Sequence, residues 1–358
     1  MTSRERIEAA LRHQTPDRTP IFEYVLQTPL AETLLGRPVH DYSLGEQAEA
    51  CWAALCAAEG VEAAVRQCAI DRLDLAERMG HDMLYVVPVP VGGTVEEAPI
   101  VSDDPVERVA ERTARAEANW APPADATFAI YVALREEMER RRVELPILAP
   151  AYAHGVWTDV DLMQTMLLEP EVARRHFALA TRTALAMIER YLALGIRQIG
   201  VGGDFSGTRP LISPEAYHEF IVPEVRTLSR RIHAAGGWAV NASDGNLWPV
   251  IDDFLLGCEV DGYLEIDKHA GMDLRRLKAN YGARITFYGN MDCGNTLSFA
   301  TPAEVRAETL DCLEAGQGHG GHIFCASNAI TASIPLENYL TMVNGYREYF
   351  GLAALQIG

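Results

Sequence analysis

Short apolar runs recur along the chain, each closing on a polar cluster and most followed by a stretch with the 3.6-residue periodicity of a helix. Eight such runs read as strands: PIFEYV, with Glu23 near its end; DMLYVVPV, beginning at Asp82; LPILAPAYAH, ending at His154; and RQIGVGGD, ending at Asp204. The second half adds GWAVNASDG, ending at Asp244, VDGYLEID, ending at Asp267, RITFYGNMDC, ending at Cys293, and GHIFCASN, ending at Asn328. Helices are expected over residues 3–13 with Ser3 as cap, 214–235 after Ser213, 247–256, and 302–315 after Thr301. The first half is less regular, with insertions over 66–82 and 101–142.

Strands that alternate with helices pair in parallel, and eight such units close a barrel. The expected fold class is therefore α/β, a (β/α)8 TIM barrel as a single domain over 1–358, its barrel running from about residue 18 to 350 behind an N-terminal helix. In this fold the chemistry lies at the carboxyl ends of the strands. Glu23, His154, Asp204, Asp244, Glu265, Asp292, Cys293, Cys325 and Asn328 all gather there. A polar residue after a buried strand is often only a turn former or a cap, so it is the convergence from most strands that points to a site.

Composition narrows the class of partner. The 358 residues are 48% hydrophobic and carry a net charge of −19, spread along the chain, which opposes nucleic acid and anionic membranes and leaves a small-molecule substrate. The opening MTSRERIEAALRHQ has no apolar stretch of signal-peptide length, and no run reaches eighteen apolar residues. A cytoplasmic protein is expected. Seven cysteines, an odd number in a chain of this size, read as thiols, two of which could serve a metal. Nothing in the sequence fixes the oligomeric state.

Individual residues suggest chemistry. Glu23 and Glu265 interrupt apolar strands, where a carboxylate needs a partner; Glu23 is a candidate general acid or metal ligand. His154 is a candidate for proton exchange near neutral pH. Asp204 in GGDFSG and Asp244 in SDGN read as turn residues or substrate contacts. Trp157, with Trp248 and Tyr263, could line a pocket for an apolar or aromatic substrate.

The opening TSRERIEAALRHQTPDRTPI, the run GDFSGTRPLISPEAYHEFIVPEVRTLSRRIHAAGG, the turn SDGNLWPVIDD and the tail GGHIFCASNAITASIPLENY together resemble the uroporphyrinogen decarboxylase superfamily. The resemblance implies a (β/α)8 barrel that uses its mouth, either for porphyrinogen decarboxylation or for corrinoid-dependent methyl transfer. It matches Asp82 to the decarboxylase's pyrrole-binding aspartate. It also implies arginines after the first strand, which PIFEYVLQTPLAETL lacks, and a histidine after the last, where Asn328 stands. The usual zinc-binding pattern of the methyltransferases is likewise replaced, by Ala242, Asp244 and Asn328. Methyltransferases that act on aryl ethers resemble a third pattern, which implies a catalytic zinc on Glu265, Cys293 and Cys325. The expected function is transfer of a methyl group from a small donor, such as a methoxylated aromatic compound, to a corrinoid on a partner protein. The rival readings are a metal-free decarboxylase or lyase on a small substrate, and a barrel that binds a ligand without turnover.

Overall fold

A computed structural model describes residues 1–26, 28–39, 42, 46–90 and 99–357. Seven parallel strands lie side by side in chain order: β1 (Leu84–Tyr85), β2 (Ile147–Tyr152), β3 (Gln198–Val201), β4 (Trp238–Ala242), β5 (Gly262–Leu264), β6 (Thr286–Tyr288) and β7 (His322–Ile323). They form one curled sheet. Seven of the eight expected runs supply these strands, and the first does not. Ile21 makes a lone parallel bridge to Phe324, and the Asp82 N–H donates to the Ile21 carbonyl at 2.7 Å. Among the described residues the ladder therefore has seven strands where eight were expected, with the PIFEYV run held by scattered bonds. Two features explain this. Pro20 has no N–H to donate, and the Ala326 N–H donates to the Glu23 carboxyl group at 3.3 Å rather than to a backbone carbonyl.

Strand alternation divides the apolar residues between two cores. Leu148, Val240, Leu264, Tyr288 and Ile323 face the concave side, where Ile7, Ala10 and Leu11 of the N-terminal helix pack against them. Their neighbours Ala149, Ile199, Ala239, Tyr263 and Phe287 face the surrounding helices. With the N-terminal helix in the amino end of the curl, the carboxyl end is the one left open for a site.

The helices follow the sequence with physical exceptions. The first spans Ser3–Leu11 and is capped by Thr2, not Ser3, because Thr2 and Glu5 form a reciprocal capping box. Ser3 is thereby free to donate to Asp82 at 3.1 Å. The stretch expected at 214–235 is helical but passes through a π-helical turn at Tyr217–Ile221, just before Pro223, whose missing N–H disturbs the regular ladder. The one expected at 247–256 is helical from Trp248 to Gly257, opening on a 3-10 turn at Trp248–Val250 and closing on a π-helical turn at Asp253–Gly257. The presumed insertions are themselves helical, as Val61–Met79, Pro105–Ala118 and Ala129–Arg141. Among the described residues no helix is long and apolar enough to cross a membrane.

Candidate active site

The close approach of β3 and β4 sets the centre of the site. A Cβ at Gly202 would lie 2.1 Å from Asn241 Oδ1 and 2.5 Å from the Ala242 nitrogen, so only glycine fits where the two strands end. Two residues on, Asp204 Oδ1 accepts the Asp244 N–H at 3.0 Å, and Asn328 Nδ2 donates to Asp244 Oδ2 at 2.6 Å. Asp267 fixes the next loop by accepting the N–H groups of Gly245 and Ala270. Glu265, buried at the end of β5, stands at φ 70°, a left-handed conformation uncommon outside glycine and costing about 1–3 kcal/mol. Tyr24 borders the same cavity as Glu265, its hydroxyl donating to that of Tyr85 at 3.4 Å.

Asp204, Asp244, Glu265 and Asn328 therefore meet as the sequence suggests, and their electrostatics follow from crowding. Burial, with the neighbouring carboxylates Asp204 and Asp267, pushes Asp244 up to about 7. Burial, with Asp244 and Asp204, holds Glu265 well above the usual carboxylate range. Such a cluster retains protons near neutral pH. A cavity of about 180 Å³, bordered by Tyr24, Tyr85, Asp204 and Glu265, opens beside it, and no lysine or arginine is among its described lining residues.

The other candidates are distributed around this centre. His154 follows β2 but is buried between Tyr152 and Phe205, and burial lowers it to about 4, so it stands neutral at physiological pH. Trp157 lies on the rim, 46% exposed. Asp82 is a correction: it precedes β1, at the amino end of the sheet, where Arg6, Arg18, Ser3 and the Ile21 N–H surround it. It ties the N-terminal helix to the sheet and does not reach the mouth. Cys293 is half-buried, its sulfur 3.4 Å from Ser327 Oγ, whereas Cys325 is fully buried in the concave apolar core with Phe22, Leu264 and Tyr288. Among the described residues no three His, Cys, Asp or Glu side chains are placed to hold a metal ion. As placed, Glu265, Cys293 and Cys325 do not present the zinc ligand set that the resemblance implies.

Glu23 is buried near this site, and burial raises it to about 8, opposed by the Ala326 N–H and the adjacent Tyr339. The folded state prefers its protonated form, so stability is lost as pH rises from the ordinary value of 4.5 through 8. Three buried histidines, His81, His154 and His322, act in the opposite sense, but their effect is complete by about 6.5. Between pH 6.5 and 8, Glu23→Gln should therefore gain stability over the wild type by up to about 2 kcal/mol. Urea titrations of both proteins at the two pH values test this, and a pH-independent difference would refute it.

Sequence reasoning passed over Tyr24, Tyr85 and Asp267. The tyrosines sit in apolar runs where an aromatic residue reads as core, and only their position beside Glu23 and at the end of β1 distinguishes them. Asp267 closes its run as any turn residue would.

Comparison with known proteins bears on this site. Over 164 residues the chain is 27% identical to uroporphyrinogen decarboxylase of Pelodictyon phaeoclathratiforme, a match spanning 43% of this chain and 44% of that protein. Over 266 residues it is 23% identical to the decarboxylase of Paraburkholderia phytofirmans, spanning 69% and 68%. In structure it is similar to a methyltransferase from Methanosarcina mazei, with a TM-score of 0.69, 17% identity and coverage of 98% and 99% of the two chains. At that identity the likeness speaks for the fold alone. The family model for uroporphyrinogen decarboxylase matches residues 145–349, which hold β2 to β7 and all the clustered acids. That match covers more than half of the sequence, and the chain belongs to the uroporphyrinogen decarboxylase (URO-D) family.

Proposed function

We propose that the chain is an enzyme that removes a methyl group from a small, uncharged donor such as a methyl ether, with Glu265 as the proton donor to the departing oxygen. The observation that carries this reading is the acid cluster: crowded carboxyl groups, raised above their ordinary range, beside a cavity without a described cationic side chain. A porphyrinogen bearing several carboxylates would meet repulsion there and has little room in about 180 Å³. A neutral ether meets neither obstacle. Its alkoxide is a poor leaving group, so a proton delivered in the transition state lowers the barrier, typically by 10²–10⁴-fold in rate.

Burial, with the charges of Asp244 and Asp204, keeps Glu265 protonated, and Asn328 orients Asp244. Tyr24 and Tyr85 supply ring faces for the donor's apolar part. A corrinoid on a partner protein would supply the nucleophile that receives the methyl group. Trp157, Leu211 and Phe299, from the segments after β2, β3 and β6, are 46%, 46% and 80% exposed, and apolar side chains following the strand ends would suit such a partner. The PIFEYV run, bonded to Phe324 on one side and to Asp82 on the other, would act as the eighth staves of a closed barrel.

The test is incubation with reduced free cobalamin and a panel of methoxylated aromatic compounds, simple methyl ethers and uroporphyrinogen. Demethylated product should form from a neutral donor, with the rate held through neutral pH, because Asp244 ionises first, at about 7, and its charge then holds the proton on Glu265. Uroporphyrinogen should be unchanged. Release of CO2 from a small acid without cobalamin would instead favour a decarboxylase, since the same acids can protonate the carbanion that decarboxylation leaves.

A further inference from the structure

At the amino end of the sheet, to one side of the N-terminal helix, lies a second cavity of about 400 Å³, within the roughly 300–1,000 Å³ usual for ligand pockets. It shares no described lining residue with the cavity beside the acid cluster. Its walls are apolar: Ile7 and Leu11 of the N-terminal helix, Leu145 and Ile147 where the chain enters β2, Ile196 ahead of β3, and Trp238 at the start of β4.

The rim is charged. Arg135, Met138, Glu139 and Arg142 line it with the spacing of one helix face, from the helix Ala129–Arg141 and its cap, and Arg197 adds a further guanidinium group. Some of the bordering charges are already paired, Arg4 with Glu144 at 2.6 Å and Glu8 with Arg12 at 3.0 Å. Arg197 donates through Nη1 to the carbonyls of Leu192 and Ile196 and keeps its charge uncompensated. Arg135, Glu139 and Arg142 have no side-chain hydrogen bond or ion pair with a described residue. Three guanidinium groups thus stand against one carboxylate, in a chain whose net charge is −19.

A second feature lies at the inner end. Gln198 is 2% exposed, and its Oε1 accepts the Tyr288 hydroxyl at 2.8 Å. The amide N–H groups of the same side chain have no acceptor among the described residues, and the residue lines the cavity. A buried amide donor without an acceptor is costly, and a ligand that brings one removes the cost.

We propose that this cavity binds a small amphipathic carboxylate, an aromatic or alicyclic acid with a hydrogen-bond acceptor at its far end. The carboxylate lies on Arg135 and Arg142, whose planar forks match its two oxygens. Its apolar body lies between Leu11 and Trp238, and its acceptor takes the Gln198 amide. A plain hydrocarbon would use neither the arginines nor the amide, and a cation would be repelled. The site is independent of the reaction at the mouth. An occupant ties the N-terminal helix to the helix Ala129–Arg141 and to the first residues of β2 to β4, so binding stabilises the fold.

The probes that test this are 6-acetyl-2-naphthoate and the corresponding carboxamide, which has the same shape and no charge. Calorimetry on the full chain should show one carboxylate bound per chain, about tenfold or more tighter than the carboxamide, with a thermal midpoint that rises with carboxylate concentration. Arg135→Gln combined with Arg142→Gln alters two exposed side chains without partners, so the midpoint in the absence of probe should stay at the wild-type value. The same pair of substitutions should bring the carboxylate down to the affinity of the carboxamide. Glu139→Gln, which takes the unpaired acid from the rim, should tighten the carboxylate by about twofold or more. Equal affinity for the two probes would overturn the proposal, as would a carboxylate affinity that stays within threefold of wild type in the double variant, or no binding of either probe at millimolar concentration.

Discussion

Glu265→Gln is expected to lower turnover of the donor identified by the panel by about 10²–10⁴-fold, the usual contribution of a positioned general acid, while leaving the protein folded. The amide has the carboxyl group's shape and cannot deliver a proton to a leaving oxygen. Removing an ionisable group from a buried site crowded by Asp204 and Asp244 also relieves repulsion, so the thermal midpoint should stay level or rise. This pairing of lost rate with kept or raised stability is the mark of a residue held for chemistry. Asp244→Asn should lose less, because Asn328 and the Asp204 contact hold the loop through its backbone and amide, but without the Asp244 charge Glu265 gives up its proton at lower pH, so the fall in rate should move down the pH scale. Turnover within threefold of wild type in Glu265→Gln would place the acid elsewhere, with Glu23 the next candidate.

How much of this arrangement could be read beforehand varies by residue. Strands β2 to β7 announce themselves because each apolar run is bounded by turn formers and followed by a capped or periodic helix, as at Ser213 and Thr301. Asp204, Asp244, Glu265 and Asn328 were legible as strand-end polar residues, since a parallel α/β sheet sends those ends to one side. What the residues do together was not legible. It depends on Gly202 letting β3 and β4 converge, which the sequence shows only as one glycine among 28. Cys325 illustrates the limit of spacing arguments: its interval from Cys293 is shorter than that of the ligand pattern, and alternation turns its side chain into the concave core beside Leu264 and Tyr288. PIFEYV has the composition of a strand, but whether its backbone pairs depends on which donor the Glu23 carboxyl group takes.

Asp82 shows the same ambiguity in its sharpest form, because a polar residue before a two-residue strand and one after it look alike in sequence. Placed before β1, it is fully buried, with Arg6 Nη1 at 2.6 Å and Arg18 Nη1 at 2.7 Å, and it accepts the Ile21 N–H at 3.0 Å. It joins the N-terminal helix, the Ile21 segment and the first strand. Asp82→Ala should therefore destabilise the fold by about 3–5 kcal/mol, the range for breaking a buried ion pair and leaving its partner charge uncompensated. Arg6 carries most of that penalty. Its side chain is only 7% exposed, and without Asp82 its remaining carboxylate is Asp17, which is 43% exposed. Arg18, at 18% exposure, can turn further toward solvent. Asp82→Asn should cost less, since the amide oxygen can still accept the Ile21 N–H. Urea denaturation separates these outcomes: a midpoint shift ordered Ala, then Asn, then wild type, with turnover per folded molecule within about threefold, is the expected result. Stability near wild type in Asp82→Asn together with abolished turnover would mean that Asp82 reaches the substrate as the family resemblance implies, and that its placement at the amino end of the sheet is in error.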